Sequence, residues 1–242
     1  ALDIVYEDKD VIFINKPAGM LSQKAKDSDE SLVEYLIDYL LGSGQLSKEE
    51  LKSFRPSVCN RLDRNTSGLV AAGKSLLGLQ VLSKAIKERT IGKYYLCIVK
   101  GVIDSPRRIQ GWLLKNEKTN QVTVTKQRRE GSLPIETEYV PMASDGHYTL
   151  LKVKLITGRS HQIRAHLASI GHPIIGDTKY GDPRENLAAK KKYGVSCQLL
   201  HAALLVLPEE LPEELSRLRG MEVSAPLPDV FAAFAGQLQG GR

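Results

Sequence analysis

Cysteine is scarce in this chain. Cys59, Cys97 and Cys197 are odd in number, widely spaced and set in apolar surroundings. They fit a reducing compartment and exclude a disulfide framework or a cysteine-based zinc site. Long apolar runs are missing as well, and the longest is far too short to span a bilayer. The opening residues, ALDIVYEDKD, have neither the basic start nor the apolar core of a secretory signal. A cytoplasmic protein with no membrane partner is expected. Low-complexity segments, strict repeats and obvious linkers are also absent, so residues 1–242 are read as one domain. Acidic residues are outnumbered, 28 against 34 Lys and Arg, for a net charge of +6 and a pI near 9.1. Between Lys84 and Gly131 there are twelve Lys/Arg against four Asp/Glu, an excess larger than that of the whole chain. Such a strip suits a polyanion such as nucleic acid; a solvated surface is the alternative.

What is present alternates between strand and helix. Val11–Asn15 (VIFIN) reads as a buried strand closed by the turn Lys16-Pro17-Ala18-Gly19. Ser31 with Glu34 forms a capping box ahead of Leu32, Tyr35, Leu36, Tyr39 and Leu40 at helical spacing. Ser47 with Glu50 starts a shorter helix. From Ser75 to Arg89, Leu76, Leu79, Leu82 and Ile86 predict the apolar face of another helix. Lys93–Lys100 predicts a strand with Tyr95, Cys97 and Val99 on one face. Further strands are expected at 122–125, 135–140, 148–157 and 201–207. A helix is expected from about Ser160 to a C-cap at Gly171, and acidic, Pro-rich turns after the last strand. The class is α+β with mainly antiparallel pairing.

Three stretches bear on chemistry. Gly68-Leu-Val-Ala-Ala-Gly73-Lys74-Ser75 satisfies the phosphate-loop pattern letter by letter. Its four middle residues nevertheless read as a strand, and charged loop precedes Gly68 where an apolar strand should end. Four of the five histidines fall between His161 and His201. His161 and His166 stand five apart, about 140° around a helix, so they do not share a metal-binding face. Packing and hydrogen bonding account for them better, and no metal is expected. The third stretch, SVCNRLDRNTSGLVAAGKS from residue 57 to 75, sets Asp63 between Arg61 and Arg64 and then turns abruptly apolar. A carboxylate held ionised by cations in such a loop suits polar chemistry, and a structural ion pair is its plainer alternative.

The run NRLDRNTSGL resembles the HRLDRDTSGL signature of RluA-family RNA pseudouridine synthases. Lys93-Tyr94-Tyr95 with Val99 and Gly101 resembles that family's K-x-Y-x-x-V-x-G. The stretch from Gly158 to His166 is similar to its G-R-x-H-Q-I-R-x-H. The segments Asn15–Gly19, Gly171–Gly181 (GHPIIGDTKYG) and Leu200–Ala202 also fit, so the resemblance covers nearly the whole chain. Asn60 replaces the usual His and Asn65 the usual Asp.

The resemblance implies isomerisation of uridine to pseudouridine within RNA, without cofactor or metal. It also implies a mixed, largely antiparallel sheet with flanking helices, a two-lobed catalytic core with a central cleft. The small RNA-binding domain that many members carry ahead of this core is not present in the sequence. By position, Asp63 becomes the catalytic aspartate, Tyr95 the ring lying against the target uracil, and Arg164 the partner of the Asp63 carboxylate. Ile163 joins Tyr95 and Arg164 in substrate binding, and Arg61 is expected to fill the place vacated by a flipped uridine. The expected partner is large-subunit ribosomal RNA, with transfer RNA open, and the enzyme is expected to act as a monomer. The rival reading is a catalytically silent RNA-binding or ribosome-assembly factor, which would keep the basic strip and not need Asp63.

Overall fold

VIFIN and LVAA are apolar at every position or nearly so, the pattern of a strand covered on both faces. In the computed structural model, which describes residues 1–240, both become interior strands. In chain order the elements are β1 (Ile4–Glu7), β2 (Val11–Lys16), α1 (Leu32–Gly42), β3 (Ser57–Val58), β4 (Ser67–Gly73), α2 (Leu76–Lys87) and β5 (Gly92–Lys100). There follow β6 (Arg107–Asn116), β7 (Gln121–Thr125), β8 (Leu133–Ser144), β9 (Tyr148–Leu155), α3 (Gln162–Ser169) and α4 (Pro183–Tyr193). The chain ends through β10 (Leu200–Val206), β11 (Glu222–Ser224) and α5 (Asp229–Gly240). No described helix is long and apolar enough to cross a membrane. The chain divides into two units, one of Ala1–Gly92 with Ala202–Pro226, the other of Lys93–His201 with the residues from Leu227 onward.

The first unit is built on β2 and β4, antiparallel from Val11 opposite Gly73 to Lys16 opposite Gly68. All seven residues of β4 are buried. β1 extends the sheet beyond β2, β10 lies beside β4, and β11 pairs with β10. Gly68 has φ +118, and a methyl group there would collide with the backbone of Ala202 on β10. Only glycine fits so close an approach. The helix caps fall where the sequence signals them. Ser31 Oγ accepts from the Val33 amide and donates to Glu34, and Ser75 Oγ accepts from the Gly78 amide and donates to Asp10. The Ser47 hydroxyl likewise accepts from the Glu50 amide, but only a single 3-10 turn follows, Glu50–Lys52. On α2 the expected apolar face holds in part: Leu82 is buried in the core with Ala85, Val11, Phe13, Leu69 and Leu205, and Ile86 packs against it, while Leu76 is 57% exposed. Leu76 opens the helix and stands outside that core, against which Leu77 and Val81 pack instead.

In the second unit the strand order is β5-β9-β8-β6-β7, with antiparallel registers throughout this run. Alternation along the strands separates two cores. Ile98 and Leu150 face Phe231, Phe234 and Leu238 of α5. Leu113, Val122 and Ile135 face Ala165 of α3. β6, α4 and α5 are absent from the sequence-based expectation. The architecture is the expected α+β one, a mostly antiparallel sheet with flanking helices.

Candidate active site

Asp63 is half-buried in the loop that leads into β4, and the backbone on either side of it is tied down. Leu62, just before it, places both backbone groups on one hydroxyl: Ser22 Oγ accepts from the Leu62 amide at 3.0 Å and donates to its carbonyl at 2.9 Å. The carbonyl of Arg64, just after it, accepts from the Gly19 amide at 2.8 Å and from Lys16 Nζ at 3.0 Å. Lys16 is fully buried and also donates to the carbonyls of Pro17 (2.9 Å) and Met20 (2.7 Å). An ammonium buried among carbonyls has its hydrogens matched to acceptors, which offsets the cost of burying its charge. Asn60 is buried too, its Oδ1 accepting from the Ala71 amide at 2.7 Å and its Nδ2 donating to the Leu69 carbonyl at 3.2 Å. A carboxamide supplies both the acceptor and the donor this site needs, so Asn serves where the related motif has His. Arg61, Arg64 and Asn65 are exposed.

The second unit carries Tyr95, Ile163 and Arg164. Tyr95 is 7% exposed on β5, opposite Val153 of β9 and on the face it shares with Cys97 and Val99. The helix α3 is short and unusually polar for its burial: Gln162, Ile163, Arg164, Ala165, His166 and Leu167 are all buried. Its polar side chains are therefore partnered. Gln162 Nε2 donates to the Glu136 carbonyl and to Thr137 Oγ1, each at 3.0 Å. Its Oε1 accepts from Thr157 Oγ1 at 2.7 Å and from the Arg159 amide at 3.1 Å. His166 Nδ1 shares a hydrogen bond with Thr137 Oγ1 at 2.8 Å, and burial pushes its ring down to about 4. His161 caps the helix in the left-handed conformation, φ 56.

Arg164 is an interior cation, not a helix-surface one. Its Nε and Nη2 meet the Asp177 carboxylate at 2.7 and 3.0 Å, with side chains 7% and 0% exposed. This is the two-pronged arginine–carboxylate geometry. Burial by itself would raise the Asp177 carboxyl; Arg164 and the amides of Tyr180 and Lys179 outweigh it and hold the group below its ordinary value. Asp177 and Tyr180 were not singled out from the sequence, although both stand in GHPIIGDTKYG. Lys179 stands closer to Asp177 in the sequence than Arg164 does, thirteen residues back, so no local pattern pairs the acid with its arginine.

The remaining sequence expectations sort by geometry. The phosphate-loop letters span β4, whose amides serve the sheet, and Lys74 Nζ is spent on the Asp8 carbonyl at 2.7 Å. The histidines are held by hydrogen bonds, including His172 Nδ1 to the Lys100 carbonyl at 2.9 Å and His161 Nδ1 to the Tyr180 hydroxyl at 2.7 Å. Among the described residues, no three His, Cys, Asp or Glu gather in a way that would hold a metal ion. The basic strip divides between units, with Lys84, Lys87 and Arg89 exposed at the end of α2, and Arg107, Lys115, Lys118, Lys126, Arg128 and Arg129 exposed on and around β6 and β7. Arg128 lies over the Trp112 ring, 5.7 Å from its centre.

Comparison with known proteins agrees with the motifs. Residues 10–169 match the family described as RNA pseudouridylate synthase. Ribosomal large subunit pseudouridine synthase D of Borreliella burgdorferi is 36% identical over 181 residues, 74% of this chain and 54% of that protein. Ribosomal large subunit pseudouridine synthase C of Vibrio cholerae is 30% identical over 230 residues, 93% of this chain and 65% of that protein. The chain thus spans about half to two thirds of the length of these relatives. In fold it is similar to human RNA Pseudouridylate Synthase Domain Containing 4, with a TM-score of 0.75 at 22% identity over 98% of this chain and 92% of that one. The match over residues 10–169, with the ordered motifs around Asp63, Tyr95 and Arg164, places the chain in the RNA pseudouridylate synthase family, in its RluA branch.

Proposed function

We propose that this chain isomerises uridine to pseudouridine within RNA, that Asp63 is the essential group, and that large-subunit ribosomal RNA is the substrate. The observation that carries the reading is the anchoring of the Asp63 loop. In a chain of this family, both neighbours of a half-buried carboxylate are pinned by Ser22, Lys16 and Gly19. Catalysis by charge and position needs a carboxylate held in one place.

Breaking the N1–C1′ bond builds positive character on the sugar and negative charge on the base. An ionised carboxylate stabilises or attacks that sugar carbon, as a glycosidase nucleophile does. The freed uracil turns and rejoins through C5, losing the C5 proton, and the Tyr95 ring gives it a surface to turn against. Arg164 is assigned as the partner of the Asp63 carboxylate, and Ile163 as part of the binding surface. Arg61, exposed beside the loop, is assigned to the space left when the uridine flips out. An isomerisation consumes no electrons and transfers no group to another molecule, so no cofactor is assigned. The exposed basic residues of both units are assigned to the RNA backbone, and the enzyme to the cytoplasm as a monomer.

The test is tritium release from RNA labelled at uracil C5, comparing the wild type with Asp63→Ala. Release by the wild type and none by the variant is expected. Equal release by both would overturn the role of Asp63. No release by the wild type from any cellular RNA, with binding intact, would turn the reading to a silent RNA-binding factor.

A further inference from the structure

We propose that Asp177 and Tyr180 are positioning residues for this reaction, fixing the plane and the presented edge of the Arg164 guanidinium; the inference rests on the reading that Arg164 serves the catalytic carboxylate. Three observations, all within the second unit, carry it. The Asp177 carboxylate takes the Nε–Nη2 edge of Arg164 in a two-pronged pair. That carboxylate is itself immobilised, since Oδ1 also accepts from the amides of Lys179 (2.9 Å) and Tyr180 (3.0 Å). The Asp177 carbonyl accepts from Gly181 and from Asn186 Nδ2, which ties the turn to α4.

Tyr180 supplies the second restraint. The Arg164 Cζ lies 5.2 Å from the centre of its ring, a cation–π contact that limits tilting out of the plane. The ring is anchored at its far end, where its hydroxyl accepts from the Val122 amide of β7 at 2.9 Å and shares a hydrogen bond with His161 Nδ1 at 2.7 Å. Rotation in the plane is therefore stopped by Asp177, and tilt by Tyr180. A guanidinium has a second edge, made by Nη1 and the outer hydrogen of Nη2. With the first edge given to Asp177, a second carboxylate can form a two-pronged pair only on this one. Asp177 also balances much of the arginine charge nearby. Arg164 then acts as a donor of set direction more than as a mobile positive charge, and a lysine, with its rotating ammonium, would not replace it.

The test measures kcat and KM for tritium release by Asp177→Asn, Tyr180→Phe, Arg164→Lys and the Arg164→Lys/Asp177→Asn pair, with thermal midpoints recorded for each. If the proposal holds, Asp177→Asn lowers kcat about 10- to 100-fold and Tyr180→Phe about tenfold, each with KM within about twofold. In the Arg164→Lys background, Asp177→Asn then costs less than about twofold more, because the group it positions is already lost. Should Asp177→Asn fail to fold, Tyr180→Phe with Arg164→Lys completes the same cycle. Equal fold-losses in both backgrounds, or losses that fall on KM alone, would overturn the proposal. Its failure is separable from that of the functional reading: Asp63→Ala with wild-type release would end the reading itself, whereas an inactive Asp63→Ala beside a multiplicative cycle ends only the positioning role.

Discussion

The buried His166 makes this protein acid-sensitive in a way that can be calculated. Its ring, ordinarily at 6.5, is held near 4 by burial between α3 and β8. The unfolded chain therefore binds this proton at a higher pH than the folded one. The stability tied to the neutral ring is fully present above about pH 6.5 and is lost as pH falls toward 4. At about 1.4 kcal/mol for each pH unit, the loss is about 2 kcal/mol by pH 5 and about 3 kcal/mol by pH 4. For a chain of this size, 2 kcal/mol corresponds to a fall in Tm of about 4–8 °C. Beside Thr137 on β8, Glu136 is held at about 2 by the Arg108 hydrogen bond first and Gln110 second, so it does not titrate in this window. The perturbation is His166→Asn, whose amide can still bond Thr137 but does not take up a proton. Urea unfolding of both proteins at pH 7.5, 6.5, 5.5 and 5.0 provides the assay. The wild type should lose about 2 kcal/mol more than the variant across that range. Parallel stability curves would refute the reasoning. Because α3 also carries Arg164, wild-type activity should fall over the same interval.

Gly68→Ala should destabilise the first unit by about 3 kcal/mol or more, since a methyl group meets the Ala202 backbone at a φ of +118; a change below 1 kcal/mol in urea unfolding would contradict the close approach. Asn60→Ala leaves the Ala71 amide and the Leu69 carbonyl without their partner and should cost about 2–5 kcal/mol. The same variant should lower tritium release by more than its unfolded fraction explains, because it loosens the strand that leads out of the Asp63 loop; wild-type specific activity in the folded fraction would contradict that. Replacing exposed Lys118, Lys126 and Arg129 together with Gln should weaken RNA binding and lower the slope of log affinity against log salt by about 2–3. An unchanged slope would remove the β6–β7 region from the RNA surface.

The strongest sequence signals were those with a single physical cause. VIFIN and LVAA are apolar on both faces, so both had to be interior strands, and they are. The Ser31–Glu34 capping box marked the start of α1 because an unpaired amide needs an acceptor nearby, and in the structure Ser75 caps α2 in the same way. β6 escaped notice because half of its residues are exposed and its two buried ones, Ile109 and Leu113, stand four apart and give little alternation. α4 is nearly polar all round, with Ala189 its single buried residue, so it has no apolar stripe to detect. Its caps were nevertheless visible in Asp182 before Pro183 and in Gly194 at the end. α5 carried a helical pattern in Phe231, Phe234 and Leu238 that the preceding Pro-rich turns obscured. For the site, the motifs pointed to the loop of Asp63 and the helix of Arg164. They did not reveal what holds either in place, because Lys16, Ser22, Asp177 and Tyr180 reach them from distant positions. Hydrogen bonds over 40 or more residues, such as Ser22 to Leu62, leave no periodic trace in a sequence.

Incubating unmodified large-subunit ribosomal RNA with the purified chain, digesting it to nucleosides and measuring pseudouridine by chromatography tests the assignment most directly. The wild type should convert a small, fixed number of uridines per RNA, and Asp63→Ala should convert none while still binding. Pseudouridine formed equally by both proteins, or by neither, would contradict the account.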